Sequence, residues 1–323
     1  MIAVRASCLL IAFVLLCVGR PADAADGYPA KPVRVIVGLA PGGGTDYQAR
    51  LFSQMLSENL RQQFIVDNRL GAGGIIAYQI AAAAAPDGYT LLASTPVYAI
   101  APVFNAKSTL DLLRDFTPVS LLTKAPYLLV VHPAFPAKTV ADMTAYAKTS
   151  AVNFGISGIG TTIHLGAVWI AQATRANIVI VPYKGTGPAL NDLLGGQIQA
   201  TFANVLNVSP HIKSGRLRAL AVSGPERSRV MPNVPTIAES GVPGFNVTTW
   251  HGWLAPTRTP DAIVSLLNAP LAKFMRSPAV AEKLAADGGE PVGNAAAEYR
   301  QFLVDEIARW RVLAKATGLK FEP

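Results

Sequence analysis

The sequence is poor in cysteine and histidine, and neither type is grouped. Its two cysteines are Cys8 and Cys17, so no disulfide framework can staple the body of the chain. The four histidines, His132, His164, His211 and His251, lie far apart and without ligand spacing, which argues against a metal centre. Despite a formal net charge of +8 there is no run of basic residues. The excess is scattered, as at Lys148, Lys213, Arg216 and Arg218, with no aromatic interleaving. A nucleic-acid groove needs clustered cations, so no nucleic-acid partner is expected, and the charge reads as a solvated surface that mildly favours anionic solutes.

Long apolar runs are also missing. The longest, Cys8 to Val18, holds eleven residues, whereas a membrane-spanning helix needs about 20. It follows Arg5 and precedes the triplet Ala22-Asp23-Ala24, the layout of a cleaved secretory signal peptide over residues 1–24. Leu16 stands before Cys17, where a lipid-anchor signal uses a small residue. Cleavage after Ala24 removes both cysteines and leaves 299 residues carrying +7. That length exceeds what one hydrophobic core serves, so two domains and a cleft between them are expected.

What the chain does have is a repeated grammar of buried strand, glycine loop and helix. Val33 to Ala40 is a β-branched apolar run that ends in Pro41-Gly42-Gly43-Gly44-Thr45-Asp46, and Ala49, Phe52, Leu56 and Leu60 follow at helical spacing. Phe64 to Val66, Gly71-Ala72-Gly73-Gly74 and Ile75 to Ala85 repeat the unit, and Thr90 to Ala93 reads as the next strand. Such alternation predicts α/β units with a largely parallel sheet. A second lobe is expected to begin with the strand Leu128 to Val131. Its strand Asn153 to Ile156 runs into Ser157-Gly158-Ile159-Gly160-Thr161-Thr162 before a helix bearing Leu165, Val168 and Trp169. Strands are also expected at Ile178 to Val181, Ile198 to Phe202 and Leu217 to Val222, with a helix at Ala189 to Leu194. The run Val247 to Leu254 returns the chain to the first lobe, and Asp261 to Phe321 is helical in pattern. The lobes are thus placed at 25–126 with 249–323, and at 127–248.

The two glycine-and-threonine loops carry the chemistry. The first amides of a helix lack partners and the helix dipole is positive there, so an anion can dock where glycine removes obstructing side chains. In open α/β sheets ligands sit beyond the carboxyl ends of the strands, where both loops fall. One such loop alone reads as a turn with a helix cap; a pair, one per lobe, points to a ligand gripped at both ends. Enzyme motifs are incomplete. Pro41 to Asp46 lacks the Gly-Lys-Ser/Thr ending of a P-loop, and Ile76 stands where a dinucleotide fingerprint has its third glycine. Gly155-Ile156-Ser157-Gly158-Ile159 lacks the last glycine of a nucleophile elbow. No catalytic residue, cofactor or metal is expected. His164 is either a ligand contact or a capping and packing residue. Tyr183, Lys184 and Asn204 offer a hydroxyl, a cation and an amide at strand ends, and Trp250 and Trp253 either wall the site or pack between the lobes.

Several ordered motifs resemble one family. Tyr28-Pro-Ala-Lys-Pro-Val-Arg-Val-Ile-Val, Pro41 to Asp46, Asp67-Asn-Arg-Leu-Gly-Ala-Gly-Gly74, Ala85-Pro-Asp-Gly-Tyr-Thr-Leu-Leu92, Val181-Pro-Tyr-Lys-Gly185, Asp192-Leu-Leu-Gly-Gly-Gln197 and Leu217-Arg-Ala-Leu-Ala-Val222 are similar to those of the Bug family, the periplasmic receptors of tripartite tricarboxylate transporters. The resemblance implies a two-lobed type 2 periplasmic-binding-protein fold, a Venus flytrap with the ligand in the interlobe cleft. It implies a monomeric periplasmic receptor for a small carboxylate, serving integral-membrane permease subunits. A sensory receptor and a periplasmic hydrolase built on the same lobes are the rival readings. The resemblance also assigns one carboxylate to Gly43, Gly44 and Thr45, and the far end of the ligand to Ser157 to Thr162. With the readings above, the expected ligand-binding set is Gly42, Gly43, Gly44, Thr45, Asp46, Asn68, Gly73, Ser94, Thr95, Ser157, Gly158, Gly160, Thr161, Thr162, His164, Tyr183, Lys184 and Asn204. Two departures stand out. Ala203 replaces the usual aspartate of a Phe-Asp-Asn motif, and Ser94-Thr95-Pro96-Val97-Tyr98 is more apolar than its counterpart. Both disfavour an amino-acid ligand and leave room for an apolar or aromatic acid.

Overall fold

The computed structural model describes residues 27–320 apart from 43, 106 and 287. The leader and Gly43 lie outside the described residues. In the first lobe, β1 (Val33–Val37) is followed by α1 (Gly44–Leu60), β2 (Phe64–Asn68), a 3-10 turn (Ala72–Gly74), α2 (Ile75–Ala82), β3 (Thr90–Ser94), α3 (Pro96–Phe104) and α4 (Leu112–Asp115). β1 pairs in parallel with both β2 and β3. The period of two in β1 sends Val33, Val35 and Val37 against Ala49, Phe52 and Leu56 of α1, and Ile36 against Ala77, Tyr78 and Ala81 of α2. Apart from the exposed Arg34, the strand is therefore buried on both faces, which is why it reads as a near-continuous apolar run.

β4 (Phe116–Val131) is longer than the expected Leu128 to Val131. Its first part pairs antiparallel with β9 (Thr248–Pro256), from Phe116 opposite Pro256 to Pro126 opposite Thr248, with register shifts between Pro118 and Ser120 and between Leu121 and Thr123. From Tyr127 onward the same strand pairs with β7 (Ala200–Asn204) and β8 (Arg218–Val222). One continuous strand therefore joins the two lobes, and β9 brings the chain back beside it. Prolines at 118 and 126 and the polar residues Thr117, Ser120, Thr123 and Lys124 hide this strand from periodicity; the bulges absorb the irregularity.

The second lobe contains α5 (Val140–Tyr146), β5 (Val152–Ile156), α6 (Thr162–Thr174), β6 (Ile178–Pro182), α7 (Thr186–Leu194) and α8 (Val205–Lys213). The whole sheet runs β2-β1-β3-β9-β4-β7-β5-β6, with β8 and β10 (Glu290–Pro291) also on β4. The tail resolves into α9 (Asp261–Met275), α10 (Pro278–Ala286) and α11 (Ala296–Thr317). α11 serves both cores: Tyr299, Leu303 and Ile307 pack with Ile36 and Leu254, while Trp310 and Leu313 pack with Phe154 and Phe202. Among the described residues no helix is long and apolar enough to cross a membrane.

Candidate carboxylate cleft

The first glycine loop is tied down by one buried carboxylate. Gly42, with φ of 80°, donates its N–H to Asp46 Oδ2 at 2.9 Å. Asp46 also accepts from Arg50 Nε at 2.9 Å and from Asn68 Nδ2 at 3.0 Å. Its bond to Arg50, helped by Gly42 and Asn68 and opposed by desolvation, holds its pKa down at about 2. Asn68 Nδ2 also donates to Leu39 O at 3.0 Å. Asp46 and Asn68 thus shape the loop, and the first amides of α1 lack intrahelical acceptors.

A polar chain then links the loop to the interlobe strands. Thr123 on β4 donates to Gln48 Oε1 at 2.6 Å and lies 3.3 Å from His251 Nδ1; His251 Nε2 lies 3.1 Å from Thr45 Oγ1. Because the Thr123 proton goes to Gln48, its oxygen accepts from Nδ1–H, which leaves Nε2 to accept from the Thr45 hydroxyl. That arrangement needs a neutral ring, and desolvation lowers the imidazole pKa to about 4. The Thr45 proton is committed to His251, so backbone amides are the donors this loop offers to an anion.

The second loop has the same design with different partners. Thr161 caps α6, accepting from His164 N at 3.3 Å and donating to Gly158 O at 2.8 Å. Gly158 and Gly160 have φ of 146° and 79°, values that suit glycine. The Gly160 N–H points inward to His164 Nδ1 at 3.2 Å, and burial lowers the His164 pKa to about 4. Ser157 Oγ lies 3.4 Å from Thr161 Oγ1, and Thr162 Oγ1 pairs with Tyr127 OH at 2.9 Å. Tyr183 donates to Asp192 Oδ2 at 2.7 Å, so its proton is committed to that carboxylate. Lys184 is exposed. Gly73 sits in the 3-10 turn, Thr95 opens α3, and Ser94 is fully buried on β3 opposite Gly252.

Beside the first loop lies a cleft of about 700 Å³, within the usual range for small-molecule sites. Of the expected residues, Gly42, Gly44 and Asn204 line it, together with Tyr47 and Gln48 of α1, Thr186 of α7, Leu206 and Asn207 of α8, and Ala125, Thr249 and His251 of the interlobe strands. Lys283, Leu284 and Gly289 complete the wall from α10 and the turn after it. The Asn204 Oδ1 is buried with no hydrogen-bond partner. No Asp or Glu appears among the described residues of the wall. Ser157 to Thr162 are not among the described residues that line it; the Gly185 N–H to Ser157 O bond at 3.1 Å ties them to α7. Trp250 and Trp253 are core residues: Trp250 packs on Tyr299 and Phe302, and Trp253 stacks with Phe64. His251, Gln48 and Lys283 were missed from sequence. The glycine run foretells the turn at α1, but nothing local marks a strand histidine or one scattered lysine as facing a cleft.

Two α/β lobes joined through long strands, with a glycine loop on the wall of a cleft, define a solute-binding protein of the periplasmic type. Residues 48–319 match the family described as tripartite tricarboxylate transporter family receptor, TctC. The protein BugT of Bordetella pertussis is 39% identical over 302 residues, covering 92% of this chain and 93% of its own. A solved R. palustris protein with adipate is 36% identical with a TM-score of 0.81, covering 91% of this chain and 99% of its own. MatC from Rhodopseudomonas palustris, with bound malate, is 34% identical with a TM-score of 0.76, covering 88% and 99%. The chain belongs to the TctC family, the Bug-type receptors, whose members are periplasmic solute-binding receptors.

Proposed function

We propose that the protein is exported to the periplasm by its leader, captures a small carboxylate in the cleft, and delivers it to the permease subunits of a tripartite tricarboxylate-type transporter. The observation that carries this reading is the wall of the cleft: amides, hydroxyls, a neutral imidazole and one ammonium group, with no carboxylate among the described residues. An acid entering such a space meets donors and no like charge. The relatives with adipate and malate support a dicarboxylate, and the apolar Leu206 and Leu284 suit its hydrocarbon part. The lobe boundary is placed within β4 and β9, at 126–127 and 248–249. Binding shifts the population toward a form in which both lobes touch one ligand, with no bond made or broken. The test is calorimetry of the mature protein against mono-, di- and tricarboxylates, together with mass spectrometry of what co-purifies with it. Micromolar binding of an acid without its turnover is expected; hydrolysis of esters with no acid bound refutes the reading.

A further inference from the structure

Resting on the carboxylate reading of the cleft, we propose that Lys283 is the specificity-determining cation of the site: it receives a second carboxylate and selects diacids over monoacids. The first turn of α1 offers neutral amide donors. These grip any single carboxylate and do not distinguish what lies at the far end of the molecule.

Lys283 is the ammonium group that lines the cleft among the described residues. It comes from α10, an element distant in sequence from both loops. Its helix is anchored in the first-lobe core through Val280 and Leu284, so the position of the lysine backbone is fixed while its side chain stays exposed. The ammonium lies 5.8 Å from the centre of the Tyr47 ring, one turn into α1 from the first loop. No ion pair holds it among the described residues. A ring face at the limit of cation–π distance is a weak partner, and a carboxylate is a strong one, so an arriving diacid draws the ammonium off Tyr47. The neighbouring turn brings Gly288 against Val205 of the second lobe, which puts the lysine at the seam where the lobes meet.

The test compares mature wild-type protein with Lys283→Met and Lys283→Arg by calorimetry, using adipate, glutarate and succinate and the monoacids of matching length. Unliganded melting temperatures check that each variant is folded, as expected for an exposed side chain. Lys283→Met is expected to lose about tenfold or more in affinity for the preferred diacid. Its affinity for the matching monoacid should fall far less, so that the ratio of diacid to monoacid affinity drops about tenfold, and Lys283→Arg should retain diacid binding. Equal losses for diacid and monoacid, or no loss for either, overturn the proposal while leaving the carboxylate reading intact. A wild-type protein that binds none of these acids overturns both.

Discussion

At the scale of single residues, the two neutral imidazoles set how the protein responds to acid. In the unfolded chain a histidine titrates near 6.5, whereas burial holds His251 and His164 at about 4 in the folded one. Between those values the unfolded chain binds protons that the folded chain does not. Stability is therefore complete above about pH 6.5 and falls as the pH drops toward 4. Each ring contributes on the order of 2 kcal/mol to that loss. Melting temperatures measured from pH 7 to pH 4.5 should decline, and His251→Gln should flatten the decline; an unchanged profile in the variant would rule out His251 as a source. Asp46 acts at a lower range: with its pKa held at about 2, its contribution is lost only as the pH falls below about 4.

At the scale of elements, α11 is held by one carboxylate. Glu306, 2% exposed, accepts from Trp250 Nε1 at 3.1 Å and Trp310 Nε1 at 3.2 Å, and pairs with Arg309. The two indoles belong to different lobe cores. Glu306→Gln replaces an acceptor oxygen with a donor amide that must face a donor already there, and leaves Arg309 without its counter-charge. Urea unfolding should show a loss of about 3 kcal/mol; a loss below about 1 kcal/mol would mean that the helix is held by apolar packing alone. Elements also differ in how far the sequence discloses them. β1, its glycine turn and α1 are legible because a strand buried on both faces is apolar but for the exposed Arg34, and glycines mark the turn. β4 is not, since it passes from one lobe to the other and changes its partners midway. Gly42, Gly44 and Asn204 could be read from strand ends, but the α10 wall could not: Lys283 differs from other scattered cations only by what folding sets opposite it.

At the scale of the whole molecule, the contact between the lobes beside the cleft is a close one. A Cβ at Gly288, whose φ is 70°, would stand 2.6 Å from Val205 Cγ2, so Gly288→Ala must push the turn after α10 away from α8. The substitution is expected to favour a more open arrangement and to weaken ligand binding about tenfold, with a larger radius of gyration in X-ray scattering. Val205→Gly in the same chain, which removes the Cβ at 2.7 Å as well as Cγ2, should restore both. Unchanged scattering and affinity in Gly288→Ala would show that the lobes need not meet there.

The order of strands in the sheet also governs when the protein can become itself. β9 lies between β3 and β4, and α11 closes both cores, so the earliest strands to leave the ribosome wait for nearly the last residues before they are covered. A polypeptide cut short before residue 296 lacks part of each lobe rather than one lobe whole, and a chain whose completion is deferred in this way stays unclosed until its tail arrives.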